Sequence, residues 1–304
     1  SQQFMDEHQL QYNPKDEVLI TVGVSEGLDL ALRTIICPGD EILIPEPCYV
    51  SYKACVSLAG GIPVTVPTSI ETEFRITVEQ LEKYVSSKTK ALIIGYPNNP
   101  TGAIMPQEEL SKIAEFAERH DLIVISDEIY SNLTYDATHT CFAALPNMKD
   151  RTIVLNGFSK SYAMTGWRIG YALANHEFIA SMNKIHQYTM LCAPITAQIG
   201  ALEALRHGKI HMKKMVSEYD RRRKLIYEGF KAMGLNCFEP KGAFYIFPSI
   251  ANTGMDSLEF AEKLLRSEKV ALVPGNAFGE SGNGFIRCSY ATSISKIDEA
   301  LVRI

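Results

Sequence analysis

Lys160 follows Gly157, Phe158 and Ser159 at the end of an apolar run, Thr152–Leu155, and Arg168 comes eight residues later. A lysine amine among small residues at a strand end can form a Schiff base with an aldehyde. An arginine one loop further on can hold a phosphate, because its fork of donors matches phosphate oxygens. An aldehyde and a phosphate on one cofactor point to pyridoxal phosphate. Alone, either residue reads as a solvated surface charge, so the inference depends on what accompanies them.

Several polar residues follow apolar runs in the same way. Leu122–Ser126 delivers Asp127, Glu128 and Tyr130. A carboxylate at a buried strand end is costly without a partner, which makes Asp127 a site candidate; capping the next segment is the alternative. Ala91–Gly95 runs into Tyr96–Gly102, where Asn99 either belongs to a proline-set turn or aims its amide at a cofactor oxygen. Val18–Thr21 is followed by Gly23, Val24 and Ser25 and then a helix, whose free N–H groups can take a phosphate. Arg287 interrupts the apolar stretch Phe285–Tyr290 and needs an anion there, a carboxylate ligand or an internal acid. Tyr49, after Pro45–Cys48, is either core or a stacking surface for a flat ligand.

Positioning these residues falls to short β-rich runs that alternate with amphipathic helices. Strands are predicted at Val18–Thr21, Glu41–Ile44, Pro63–Val66, Ala91–Gly95, Leu122–Ser126, Thr152–Leu155 and Arg168–Leu173. A helix is predicted from Ser25 to Ile36, and another carries Leu110, Ile113, Ala114 and Ala117 on one face. Fully apolar strands between such helices imply an α/β fold, a mainly parallel sheet flanked by helices. From about His211 a long charged helix leads into Gly242–Pro248, a helix at Ser257–Ser267, strands at Val270–Val273 and Phe285–Tyr290, and a last helix from Ser293. That reads as a smaller α+β C-terminal domain, with a large cofactor-binding domain at 1–210 and the small one at 211–304. Ligands of open α/β sheets bind beyond the carboxyl ends of the strands, so the cleft between the domains is the expected site.

Composition narrows the alternatives. The chain has 304 residues, 46% of them hydrophobic and 21% charged, with a net charge of −5. That balance fits a soluble globular protein and argues against non-specific nucleic-acid binding. Arg221, Arg222 and Arg223 follow Glu218 and Asp220 on a helical pattern and read as a solvated helix face. The seven cysteines form no C-x-x-C pair, which fits reduced core thiols in a cytoplasmic protein. No metal-like grouping appears, since His207 and His211 are separated by Gly208. No run reaches the roughly 18 apolar residues of a membrane span, and no signal peptide is visible.

In order along the chain, Gly23 with Ser25, Asn99-Pro100-Thr101-Gly102, Ser126–Tyr130, Ser159-Lys160 with Arg168, Pro274–Gly279 and Phe285–Tyr290 resemble one family. They look like the class I/II aminotransferases, fold type I of the pyridoxal-phosphate enzymes. The resemblance spans essentially the whole chain and is nearest the bacterial aromatic-amino-acid and N-acetyl-diaminopimelate aminotransferases. It implies that Lys160 forms the Schiff base and then moves the substrate Cα proton. Asp127 would pair with the pyridine nitrogen, Tyr130 and Asn99 would bond the ring's 3′ oxygen, and Tyr49 would stack on the ring. Gly23, Val24, Ser25, Ser159 and Arg168 would surround the phosphate end, while Arg287, beside Asn99, would take the substrate α-carboxylate.

The resemblance further implies an amino acid and a 2-oxo acid such as 2-oxoglutarate as substrates, and a homodimer with its sites at the interface. Aromatic or other bulky donors are expected, because no second arginine is placed for a distal carboxylate. Gly157 stands where many relatives have serine, so one hydroxyl contact to phosphate is expected to be missing. The family's N-terminal arm is expected to precede Ser1. Two alternatives share the motifs: a pyridoxal-phosphate C–S β-lyase, and a cofactor-sensing regulator domain.

Overall fold

The structure, a computed structural model, describes residues 2–304. Its larger sheet has seven strands: β1 (Val18–Thr21), β2 (Glu41–Glu46), β3 (Ile62–Pro67), β4 (Thr89–Ile94), β5 (Ile123–Asp127), β6 (Thr152–Gly157) and β7 (Gly170–Leu173). Their spatial order is β1-β7-β6-β5-β4-β2-β3. Every neighbouring pair is parallel except those made by β7, which runs against both β6 and β1. Strand β1 therefore points the same way as β6, and the carboxyl ends of β1, β2, β4, β5 and β6 share one edge.

Among the described residues ten α-helices accompany the strands: α1 (Gln2–His8), α2 (Gly23–Ile35), α3 (Ser51–Leu58), α4 (Val78–Leu81), α5 (Gln107–Arg119), α6 (His176–Thr189), α7 (Ile195–His207), α8 (Lys209–Ala232), α9 (Ser257–Glu268) and α10 (Ile294–Arg303). Both sheet faces are covered, which explains why its strands lack polar alternation. Leu43, Leu92, Ile94 and Val124 pack with Leu110 and Ile113 of α5 on one face. Their neighbours Ile42, Ile44, Ala91, Ile93 and Ile125 pack with Leu28 and Ala31 of α2 on the other. Asn175 caps α6, accepting from the N–H groups of Glu177 and Phe178 at 3.1 Å each, and Asp256 caps α9 in the same way.

The C-terminal small domain holds an antiparallel sheet of β8 (Tyr245–Ile246), β10 (Ile286–Ser289) and β9 (Val273–Pro274). Phe230 of α8, Phe260 and Leu264 of α9 and Ile297 of α10 bury its core side.

Several sequence expectations need correction. Arg168 is not in a strand: it has φ 53° after a short 3-10 turn, and β7 starts at Gly170. The helices α3, α6 and α7 were not anticipated, α8 begins at Lys209, and β9 is shorter than Val270–Val273 implied. Arg223 is not solvated but fully buried. Its guanidinium bonds Asp220, Glu239 and Asp136 and the carbonyl of Pro240, and lies over the Tyr135 ring. Three anions around one cation offset its desolvation. The cysteines are unpaired but not all core: Cys48, Cys141 and Cys288 are buried, whereas Cys37 and Cys192 are exposed.

Candidate active site

A cavity of about 340 Å³ opens at the carboxyl edge of the large sheet and is closed on one side by the small domain. It is lined by Val24, Ser25, Tyr49, Asn99, Asp127, Tyr130, Ser159, Lys160, Arg168 and Arg287. Of the candidates read from sequence only Gly23 is not in its wall. The shared strand direction explains the gathering: the turns after β2, β4, β5 and β6 supply Tyr49, Asn99, Tyr130 and Lys160, and the first turn of α2, after β1, supplies Ser25. Arg168 joins them because β7 is antiparallel, so the residues just before its first position, Gly170, lie at the same edge.

At one end, Gly23 opens α2 with φ +78°, and a Cβ there would sit 2.7 Å from Arg168 Nη2. Glycine thus leaves the place the guanidinium occupies beside the helix start. Arg168 Nη1 donates to the Thr165 carbonyl at 3.0 Å, and Ser25 and Thr165 line the same end. Gly157 shows why no serine fits its position: a Cβ there would lie 2.9 Å from Gly170 Cα.

At the centre, Lys160 Nζ lies 5.7 Å from the Tyr130 ring centroid and 5.5 Å from that of Phe244. Burial, and then the nearby cations Arg168 and Arg287, hold its pKa below the usual lysine range. Asp127 ends β5 and is buried. Burial pushes its carboxyl up to about 6, against hydrogen bonds from Tyr52 and the Ile129 N–H that favour the charged form. Tyr52 Oη donates to Asp127 Oδ2 at 2.9 Å.

On the small-domain side, Arg287 Nη1 donates to Asn99 Oδ1 at 2.9 Å. Its guanidinium carbon lies 4.5 Å from the Tyr245 ring centroid and 4.7 Å from that of Phe278. Its Nε is buried and, among the described residues, has no hydrogen-bond partner. Among the described residues no acid pairs with Arg287, and its side chain lines the cavity.

Sequence reasoning missed Tyr52 and Tyr245. Tyr52 lies three residues after Tyr49, in the first turn of α3, and the two rings meet edge to face with centroids 5.7 Å apart. Tyr245 carried no signal beyond its aromatic neighbours.

The residues fit pyridoxal phosphate on three observations. Gly23 leaves a cradle beside Arg168, a low-pKa amine stands at the centre, and a buried carboxylate lacks a cationic hydrogen-bond partner among the described residues. Lys160 would attach the aldehyde carbon, Asp127 would hold the ring nitrogen, and Arg168 with the α2 start would hold the phosphate.

The family model for aminotransferase class I and II matches residues 1–304. A putative aminotransferase, YugH, of Bacillus subtilis (strain 168) is 55% identical over 97% of this chain and 76% of its own length. An aspartate aminotransferase of Pyrococcus abyssi is 47% identical over 98% of this chain and 77% of its own. The crystal structure of an aromatic aminotransferase from Pyrococcus horikoshii OT3 superposes with a TM-score of 0.98 at 45% identity, covering 99% of this chain and 81% of that one. With a mainly parallel seven-stranded sheet, an antiparallel small domain and a family match over its whole length, the chain belongs to the class I and II aminotransferases, fold type I enzymes that work with pyridoxal phosphate.

Proposed function

We propose that this aminotransferase takes the α-amino group of an aromatic or otherwise bulky L-amino acid and passes it to a 2-oxo acid such as 2-oxoglutarate. The observation that carries the donor class is the cavity wall. Its cations are Lys160, Arg168 and Arg287, and its aromatic lining residues are Tyr49, Tyr52, Tyr130 and Tyr245. One arginine serves an α-carboxylate, and none is left among the described lining residues for a second carboxylate. The aromatic aminotransferase among the similar structures supports the same choice, while the aspartate aminotransferase among the relatives makes aspartate the donor to test against it.

Pyridoxal phosphate, when bound, supplies an aldehyde that accepts the amine and a ring that draws off the electron pair left at the substrate Cα. Arg287 binds the α-carboxylate as a fork and orients the Cα–H bond toward Lys160. Lys160 Nζ, with its pKa lowered by burial and the nearby cations, is the base placed to take that proton. Asp127 holds a proton on the ring nitrogen, because a buried carboxylate favours a cation beside it. Tyr130 and Asn99 donate to the ring's 3′ oxygen, Tyr49 covers the ring face, and Ser25, Ser159, Arg168 and the Val24 N–H hold the phosphate.

The reading extends to organisation. The division into a large domain at 1–210 and a small one at 211–304 follows the two sheets. A homodimer is supported by an exposed apolar face beside the site: Ile195, Ile199 and Leu202 of α7, with Trp167 and Leu191. A cytoplasmic location accords with unpaired cysteines. No helix among the described residues is long and apolar enough to cross a membrane.

The test is the visible spectrum of the protein with pyridoxal phosphate, before and after phenylalanine, tyrosine, glutamate or aspartate. Loss of the visible band fastest with phenylalanine or tyrosine, regained with 2-oxoglutarate, supports the proposal. Fastest loss with aspartate overturns the donor class. Release of pyruvate and ammonia from cystathionine points instead to the β-lyase, and a band unmoved by every donor points to the sensor. A Lys160→Ala spectrum identical to wild type removes the lysine's role.

A further inference from the structure

Tyr130 and Tyr245 come from different domains, yet their hydroxyls lie 3.0 Å apart, both side chains buried. Tyr130 belongs to the turn after β5. Tyr245 is in β8, paired with Ser289 beside Arg287, and its ring underlies the Arg287 guanidinium. No other hydrogen bond joins either hydroxyl among the described residues.

Each hydroxyl has one proton. In such a pair one oxygen donates to the other, and the second proton is left to point elsewhere. If Tyr130 donated to Tyr245, its proton would be spent away from the cavity. If Tyr245 donates, the Tyr130 proton is free to point at an anionic oxygen in the cavity. An anion within reach of Tyr130 selects the second arrangement, since a hydrogen bond to a charged acceptor is stronger than one between neutral hydroxyls.

We propose that Tyr245 is a positioning residue: its hydroxyl donates to Tyr130 Oη and thereby commits the Tyr130 proton to the ring's 3′ oxygen, while its ring face supports Arg287. The inference rests on the cofactor placement given under Proposed function. It makes one small-domain side chain serve both the carboxylate anchor and the proton that sets the charge of the bound cofactor, so the two domains must be seated together for either to be in order.

The two roles separate by substitution. Tyr245→Phe keeps the ring and removes the hydroxyl; Tyr245→Leu removes both. The readout is the pH midpoint of the visible absorption of the cofactor-loaded protein. Donation to an anionic oxygen favours the deprotonated form, so weakening it raises the midpoint. Tyr245→Phe leaves the Tyr130 bond to the anion in place and removes only its polarisation, about 10–30% of a charged hydrogen bond. The midpoint is therefore expected to rise by about 0.1–0.6 unit. Tyr130→Phe should raise it further, and the double variant should match Tyr130→Phe alone. The Kd of phenylpropionate, a carboxylate without an amine, should stay the same in Tyr245→Phe and rise about 3- to 10-fold in Tyr245→Leu, on the scale of a cation–π contact.

A midpoint unchanged in Tyr245→Phe, or a shift that persists in full in the Tyr130→Phe background, overturns the proposal while the site reading stands. If Lys160→Ala and wild type give the same spectrum, the site reading and this inference fall together.

Discussion

Arg287 and Asn99 meet across the cleft, one from the small domain and one from the β4 turn, with Nη1 and Oδ1 2.9 Å apart. The bond holds the guanidinium between the Tyr245 and Phe278 rings at the cavity wall. Arg287→Lys keeps the charge but loses the fork and the stacking between Tyr245 and Phe278. Loss of a charged hydrogen bond of about 1.5–3 kcal/mol should raise the Kd of phenylpropionate roughly 10- to 150-fold. Binding titration of the loaded protein checks this; an unchanged Kd would place the carboxylate elsewhere.

Asp127 makes a pH prediction for the protein without cofactor. Its folded pKa, about 6, lies above the ordinary 3.8. Stability from this group is therefore complete below the unfolded value and lost as pH rises through about 6. At pH 8 the charged form costs about 3 kcal/mol relative to an equally packed neutral group. Asp127→Asn, whose Oδ1 can accept from the Ile129 N–H while its Nδ2 donates to Tyr52 Oη, should be the more stable cofactor-free protein at pH 8. The advantage should vanish near pH 4, read by denaturant titration at several pH values. The same variant should bind pyridoxal phosphate more weakly.

Glu128, next in sequence, is buried with the opposite outcome. Burial alone would raise its pKa, but His139 at 2.9 Å, the Phe142 N–H and Ser126 Oγ hold it below the ordinary 4.5. Its contribution is present above the unfolded pKa and lost as pH falls through the folded one. His139→Ala removes one hydrogen bond to this buried carboxylate and should cost about 1.5–3 kcal/mol at neutral pH. The loss should shrink in acid, where Glu128 is protonated. A cost that is independent of pH would mean His139 acts by packing alone.

Ile199 is 57% exposed at the middle of the apolar face of α7. If that face is covered by a second copy, Ile199→Asp should shift the protein from dimer to monomer in sedimentation equilibrium. A wild-type monomer at micromolar concentration would remove the dimer proposal.

What could be read from sequence divides along physical lines. Strands β2, β4, β5 and β6 were legible because both their faces are buried, so apolar runs of five or six residues stand out. The site residues at their ends were legible because polar groups there break the run. Helix α7 was not, since Ile195, Ile199 and Leu202 are apolar on an exposed side, which blurs the burial periodicity. Arg223 was misread because its counter-charges Asp136 and Glu239 come from distant segments. Arg168 looked like part of β7 because Ile169–Leu173 extends the apolar pattern back to it; the φ of 53° belongs to the turn and leaves no mark in composition. Tyr245 could be found only once two sheets were placed against each other.

The paired glycines Gly157 and Gly170 face each other in the β6–β7 register. A Cβ on Gly170 would lie 2.8 Å from Gly23 C and 2.9 Å from Val24 N, so the first turn of α2 is clamped there too. Between the two glycines hang Lys160 and Arg168, while Gly166 faces open space. For the gene, this stretch is free in spelling at places such as codon 166 but fixed in length. Point changes can drift through it, whereas a codon gained or lost slides the lysine against the arginine and separates the two ends of one small molecule.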